Sequence, residues 1–94
     1  MPIERVYDQI AEFARSHGAR RVTLFGSRAR GDAAPRSDID LAVEGCADFA
    51  SLEDDLQERL WSLLQVDVVN LDGPVSDALR ADIQRDGRVI YEAL

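Results

Sequence analysis

Apolar residues recur at three- and four-residue spacing near the start of the chain and again in its middle. Over residues 3–14 they form one face of an amphipathic helix, and Gly18 provides its C-terminal stop. A second apolar face runs over residues 52–64, behind Ser51 and Asp54, which together resemble a capping box. The spacing predicts two helices that each bury one side.

Short runs rich in β-branched and aromatic residues predict four strands, at 22–25, 39–43, 66–71 and 89–91. A third helix is predicted between Ser76, a residue suited to capping, and Gly87. The stretch 26–36 contains glycine and proline and is predicted as a loop or broken turn. The order α-β-β-α-β-α-β predicts an α/β (α+β) fold, a mixed β-sheet with flanking helices.

Length and composition narrow the class of protein. The 94 residues fit one domain spanning 1–94, and 46% hydrophobic with 31% charged residues indicates a globular chain. The net charge of −7 argues against nucleic acid as a direct partner, since phosphate binding needs clustered cations. The single cysteine, the absence of an apolar run of roughly 20 residues and the absence of a signal-like N-terminus predict a cytoplasmic protein with no membrane partner.

Two aspartates provide the first candidate chemistry. Asp38 and Asp40 flank Ile39 at the start of the second predicted strand. Residues two apart on a strand point to the same face, so the two carboxylates are expected side by side. Like charges this close repel, and a cation bound by hard oxygen ligands would relieve them. The pair predicts a site for Mg²⁺ or Mn²⁺.

A third carboxylate, Asp67, lies between two valines in the third predicted strand. A charged group in an apolar strand is costly without compensation. If this strand pairs beside the second one, Asp67 joins Asp38 and Asp40. Three carboxylates would then hold one or two divalent ions, which can clamp the attacking and leaving oxygens of a phosphoryl displacement.

Gly26 and Ser27 follow directly on the first predicted strand. Glycine lets a backbone approach phosphate closely, and backbone N–H groups with the Ser27 hydroxyl would cradle a triphosphate. Arg28 or Arg30 would add charge-assisted bonds to it. The opposing interpretation is that one of these arginines pairs with an acidic neighbour as part of the scaffold.

Other polar or unusual residues have simpler interpretations. His17, near the end of the first helix, is expected to interact with the helix dipole and not to act in catalysis. Cys46 and Trp61 are expected to be packing residues.

The residues that carry the candidate chemistry resemble a known family. Gly26-Ser27, ten intervening residues and then Asp38-x-Asp40 resemble the signature of the DNA polymerase β nucleotidyltransferase superfamily. The compact Gly-Ser-x-Ala-Arg-Gly form resembles its minimal nucleotidyltransferase, or MntA-type, branch, along essentially the whole chain. The resemblance implies the nucleotidyltransferase fold. It assigns Asp38 and Asp40 as metal ligands, Asp67 as third ligand or base, and Gly26 and Ser27 as nucleotide-binding residues.

The resemblance also implies a biological role. Its members pair as antitoxins with α-helical HEPN toxins in type VII-like toxin–antitoxin systems. The activity implied is metal-dependent transfer of AMP from ATP to a tyrosine of the toxin, with Mg²⁺ or Mn²⁺ as the cofactor. Two alternatives stay open: an antitoxin that neutralises its toxin by steric contact or represses transcription with it, and a nucleotidyltransferase that modifies a small molecule.

Overall fold

Helices and strands alternate along the chain in the computed structural model, which describes residues 2–94. Within this range no helix has both the length and the apolar character needed to cross a membrane. The elements are α1 (Ile3–Ser16), β1 (Arg21–Phe25), α2 (Ser27–Arg30), β2 (Ile39–Glu44), α3 (Phe49–Glu58), β3 (Val66–Asn70), α4 (Asp77–Asp86) and β4 (Arg88–Glu92).

The four strands form one mixed sheet in the order β3-β2-β1-β4. Strand β2 is parallel to β3, whereas β1 is antiparallel to both of its neighbours, β2 and β4. The predicted mixed sheet with flanking helices is confirmed. The parallel pair matters most for the site, because β2 and β3 carry the candidate carboxylates at their beginnings.

The hydrophobic core lies between one face of the sheet and the helices α1 and α3. Residues four apart form the buried face of α1, and alternate residues form the buried faces of the strands. These spacings follow from the repeat of side-chain direction in a helix and in a strand. The fully buried aliphatic side chains include Ile10, Val22, Leu24, Ile39, Leu41, Val43, Leu52 and Leu56. The other sheet face therefore carries the intervening strand residues, and α4 packs on it against β1.

Two element boundaries differ from prediction. The stretch after β1 contains the short helix α2 where only a loop was predicted. Helix α3 begins at Phe49, two residues before the predicted capping box, with Asp48 at its N-cap. The pairing of Ser51 with Asp54 is thus wrong as a helix start. By contrast, the Ser76 hydroxyl accepts a hydrogen bond from the Leu79 amide at 3.2 Å, which confirms the predicted cap of α4.

The leucine pattern that continues after α3 is the largest error of the sequence prediction. Helix α3 ends at Glu58, and residues 59–65 form an irregular loop. Leu63, predicted to point inward, is fully exposed, and Trp61, predicted to pack, is 68% exposed. The Ile39 amide donates to the Gln65 carbonyl, and this bond fixes where β3 begins. Residues 59–65 therefore connect the end of α3 to this point and do not continue the helix. Cys46 is buried, as predicted.

His17 connects the end of α1 to the start of α3. Its Nδ1 lies 2.9 Å from an Asp48 oxygen and its Nε2 lies 2.6 Å from an Asp55 oxygen. An imidazole donates from both nitrogens only when it is protonated. These hydrogen bonds, that with Asp55 first, raise the pKa of His17, while the bond from His17 lowers the pKa of Asp48. His17 is therefore a charged link between two helices, beyond the predicted interaction with the helix dipole.

The His17 link predicts a pH-dependent stability. Because the pKa of His17 is higher in the folded protein, the charged imidazole stabilises the fold fully below the unfolded pKa of about 6.5. This stabilisation is lost as pH rises through the folded pKa. The pKa of Asp48 is lower in the folded protein, so the charged carboxylate stabilises the fold above its unfolded pKa of about 3.9. That stabilisation is lost as pH falls through the folded pKa. His17→Gln should therefore destabilise most between these limits, by about 1 kcal/mol or roughly 4–8 °C in melting temperature.

Melting curves of wild type and His17→Gln from about pH 5 to pH 9 measure this link. The difference between the two proteins should shrink as pH rises. A difference that stays constant over the whole range would show that the charge on His17 does not stabilise the fold.

Candidate active site

The register of β2 with β3 brings two of the predicted carboxylates together. Asp40 and Asp67 are direct partners across the parallel strand pair. Asp40 alternates with the buried Ile39 and Leu41, so its side chain lies on the sheet face opposite the main core. Asp38 comes immediately before β2, two residues from Asp40. The strand pairing on which a shared carboxylate site depends is therefore present.

The electrostatics of Asp40 show the strain of this arrangement. Its pKa is raised, first by partial burial and then by the negative charges of Asp67 and Asp38, while the Arg30 guanidinium opposes the rise. Burial and like charges both disfavour an ionised carboxylate. A bound cation would remove both costs, and carboxylate oxygens are the donors that Mg²⁺ and Mn²⁺ prefer.

The three carboxylates lie close at the beginnings of β2 and β3 but do not form a complete set of metal ligands. Within residues 2–94, no three Asp, Glu, His or Cys side chains converge in the arrangement of a metal site. Asp38 and Asp67 are exposed, and the Gln65 side-chain amide donates to an Asp67 oxygen at 3.4 Å. The donor chemistry fits a divalent cation, and metal ligation by Asp38, Asp40 and Asp67 stays a prediction.

Gly26 fits closely against Asp40. Its backbone has φ 74° and ψ −157°, a region that is essentially restricted to glycine. A Cβ at this position would overlap the Oδ2 atom of Asp40. The sequence indicated glycine here for the approach of phosphate, whereas the structure adds a second reason, which is room for the Asp40 carboxylate. No pattern in the sequence gives this contact, because it depends on the pairing of β1 with β2.

Ser27 begins the helix α2 directly beside this contact. The amides of Ala29 and Arg30 donate to the Gly26 carbonyl, which closes the first turn. The first N–H groups of a helix have no intrahelical partner, so those of Ser27 and Arg28 are available to a ligand. Phosphate binding by Gly26 and Ser27 stays a prediction, and the turn presents suitable donors next to Asp40.

The two candidate arginines have different partners in the structure. Arg28 donates through Nε and Nη2 to the Ser37 carbonyl at 3.0 and 2.8 Å, and to the Pro35 carbonyl at 3.1 Å. It thus shapes the loop that leads to Asp38. Arg30 pairs with Asp32 at 3.3 Å and Asp86 at 3.7 Å.

Of the two predicted nucleotide-binding arginines, Arg30 is the one whose charge acts on Asp40. Asp32 is exposed and the contact to Asp86 is long, so phosphate can compete for the donors of Arg30. A nucleotide contact by Arg28 or Arg30 stays a prediction.

A cavity of about 500 Å³ lies on the same sheet face, between β1, β2 and α4. Thr23, Glu44 and Arg80 are among its lining residues, and the three carboxylates are not. Arg21 and Arg20 hold Glu44 at 2.8 and 2.9 Å. Because the negative charges of Asp67 and Asp38 raise the pKa of Asp40, we predict the reacting centre at these carboxylates and not in the cavity.

Metal binding has a consequence for stability. A cation that binds only the native state stabilises it by RT ln(1 + [L]/Kd), about 2.7 kcal/mol at a hundredfold excess over Kd. Mg²⁺ should therefore raise the melting temperature, and Mg²⁺ with ATP should raise it further. Asp38→Asn should shift less with the metal and be at least as stable in chelator, because one of three like charges is gone.

Melting curves of both proteins in chelator, with Mg²⁺, and with Mg²⁺ plus ATP give the comparison. Equal shifts in wild type and Asp38→Asn would remove Asp38 from the metal site.

Comparison with known proteins identifies the family. The sequence pattern of the family described as "Polymerase beta, Nucleotidyltransferase" matches residues 8–93. A search of curated protein sequences gives no match.

Solved structures give similar folds. The chain is 26% identical to a chain in the crystal structure of a toxin–antitoxin with AMP-PNP, covering 93% of this chain and 73% of that one, with TM-score 0.74. It is 26% identical to a chain of a variant toxin–antitoxin MntA–HpeT, with coverages of 92% and 72% and TM-score 0.71. A structure described as a minimal nucleotidyltransferase is 31% identical, with coverages of 92% and 90% and TM-score 0.70.

Proposed function

The chain belongs to the polymerase beta nucleotidyltransferase family, and from this premise we propose that it transfers AMP from ATP to a tyrosine of a partner HEPN-type toxin. In this proposal residues 1–94 act as one minimal domain, in the cytoplasm, as the antitoxin of a type VII-like pair. The observation that carries the chemistry is the pairing of Asp40 with Asp67 beside Gly26. The similar toxin–antitoxin structure with AMP-PNP supports the choices of ATP and of a toxin partner.

The proposed reaction is an in-line displacement at the α-phosphorus of ATP. The tyrosine oxygen forms a bond to this phosphorus, the bond to the bridging oxygen breaks, and pyrophosphate leaves. In this proposal Asp67 accepts the tyrosine proton, while Asp38 and Asp40 would hold Mg²⁺. The divalent cation supplies charge neutralisation on the phosphates when it is bound. Gly26, Ser27 and Arg30 would orient the triphosphate.

The test is co-expression with a HEPN-type protein encoded beside this chain, followed by intact-mass measurement of that protein. The expected result is a mass gain of one or more adenylates, located on tyrosine by fragmentation. The same toxin expressed alone provides the unmodified reference. An unmodified toxin that is nevertheless neutralised would overturn the enzymatic proposal and support steric binding.

A further inference from the structure

The loop over residues 59–65, here called the Trp61 loop, presents apolar side chains to solvent. Trp61 is 68% exposed and Leu63 is fully exposed. Tryptophan is enriched among the residues that dominate the binding energy of protein interfaces. Exposure of both side chains on one short loop, immediately before β3, distinguishes this surface from scattered apolar residues elsewhere.

The Trp61 loop is held in this conformation by specific hydrogen bonds. The side chain of Gln9 on α1 accepts from the Trp61 amide at 2.7 Å and donates to the Arg59 carbonyl at 3.3 Å. The Ser62 hydroxyl accepts from the Leu64 amide at 3.0 Å. A loop fixed in this way loses little conformational entropy when a partner covers it, which favours binding.

The Trp61 loop is also connected to the candidate active site. The Ile39 amide, between Asp38 and Asp40, donates to the Gln65 carbonyl at 2.9 Å. Asp67 follows Gln65 by two residues. The Trp61 loop therefore leads directly into the strand that carries Asp67, and this hydrogen bond fixes its end to the start of β2.

The surroundings of Trp61 favour a basic partner. Two exposed carboxylates lie near Trp61: Asp8, which lines a hollow with Trp61 and Arg5, and Glu58, at the end of α3. Neither carboxylate forms a salt bridge with any residue in the range 2–94, so two negative charges stand against the one positive charge of Arg5. Arg59, the cation on the loop itself, is already paired with Asp55 at 3.4 Å. The chain as a whole carries −7. Charge complementarity therefore selects a partner with basic residues around an apolar centre.

We propose that the Trp61 loop is the docking site of the acceptor protein, which covers Trp61 and Leu63 with an apolar face rimmed by basic residues. This inference rests on the proposed function, since it names the surface on which that acceptor docks. Docking here is separate from the chemistry: Trp61 and Leu63 contact the acceptor but not the reacting atoms.

The test compares Trp61→Ser/Leu63→Ser with Val89→Ser/Leu94→Ser, a matched change of two exposed apolar residues on and after β4. The probe is the HEPN-type protein used in the co-expression experiment. Its affinity is measured by titration, and AMP transfer to it is measured separately. The loop variant should bind at least about 30-fold more weakly, the loss typical of an interface hot spot. Its Mg²⁺–ATP thermal shift should equal that of wild type, and the β4 variant should match wild type in both assays.

The outcomes separate the two proposals. If wild type binds the probe without modifying it, and the loop variant binds weakly, the proposed chemistry fails and the docking site stands. If the loop variant binds and transfers AMP as wild type does, the docking site is wrong and the chemistry stands. If wild type neither binds nor modifies the probe, both fail. A wild-type dimer in light scattering that the loop variant lacks would mean that a second copy covers the loop, which also overturns the proposal.

Discussion

Asp40→Asn should lower the rate of nucleotidyl transfer by at least about 10²-fold, the range seen when one electrostatic contact to a transition state is removed. Asp40 is the central carboxylate, because Asp67 is its partner across the strands and Asp38 lies two residues before it. Its amide replacement keeps the shape but removes the charge that would hold a divalent cation. The measurement is the initial rate of transfer from labelled ATP.

The fold should survive this change. The raised pKa of Asp40 means that its ionised form is disfavoured in the native state, so a neutral side chain should leave the melting temperature in chelator equal or higher. Asp54→Asn is the matched control, because Asp54 is exposed on α3, away from the strands. A folded Asp40→Asn protein that transfers nucleotide at the wild-type rate would show that the active site lies elsewhere.

Gly26→Ala should have a comparable effect on transfer for a steric reason. The added Cβ would overlap the carboxylate of Asp40, and the backbone angles at Gly26 are strained for any other residue, at a cost of about 1–3 kcal/mol. Asp40 and the turn into α2 cannot both keep their positions. We therefore expect a loss of at least about 10²-fold in rate, together with a lower melting temperature.

Gly31→Ala distinguishes the two causes, which are overlap with Asp40 and backbone strain. Gly31 also has a positive φ, of 86°, at the other end of α2, but a Cβ there has no neighbour within 4 Å. It should share the loss of stability caused by backbone strain while keeping most of the transfer rate. Equal rates for Gly26→Ala and Gly31→Ala would mean that the contact between Gly26 and Asp40 does not matter for activity.

The local parts of the site were predictable from sequence. The spacing of Asp38 and Asp40 places both at the start of one strand, because side-chain direction repeats every two residues. The position of Gly26-Ser27 after a β-branched and aromatic run predicted the end of a strand followed by a loop or broken turn. The apolar periodicity predicted α1, the four strands and α4 with its Ser76 cap, and their order predicted a mixed sheet. The family resemblance is confirmed by the match over residues 8–93.

The relations between distant segments needed the tertiary structure. Asp67 was expected near Asp40 only if β3 paired beside β2, and the parallel register decided that condition. The fit of Gly26 to Asp40 and the division between Arg28 and Arg30 likewise depend on how strands and loops approach each other in space.

The leucines after α3 are a case in which contacts between distant residues interrupt a local pattern. Their spacing continues a helical pattern that the bonds from Gln9 and Ile39 interrupt, which leaves Trp61 and Leu63 exposed. Local periodicity determined where α1, α4 and the four strands lie and which face each one buries, because those preferences act over a few residues. Strand pairing and loop closure decided which side chains meet and where a helix has to stop, since these depend on contacts between residues far apart in the chain.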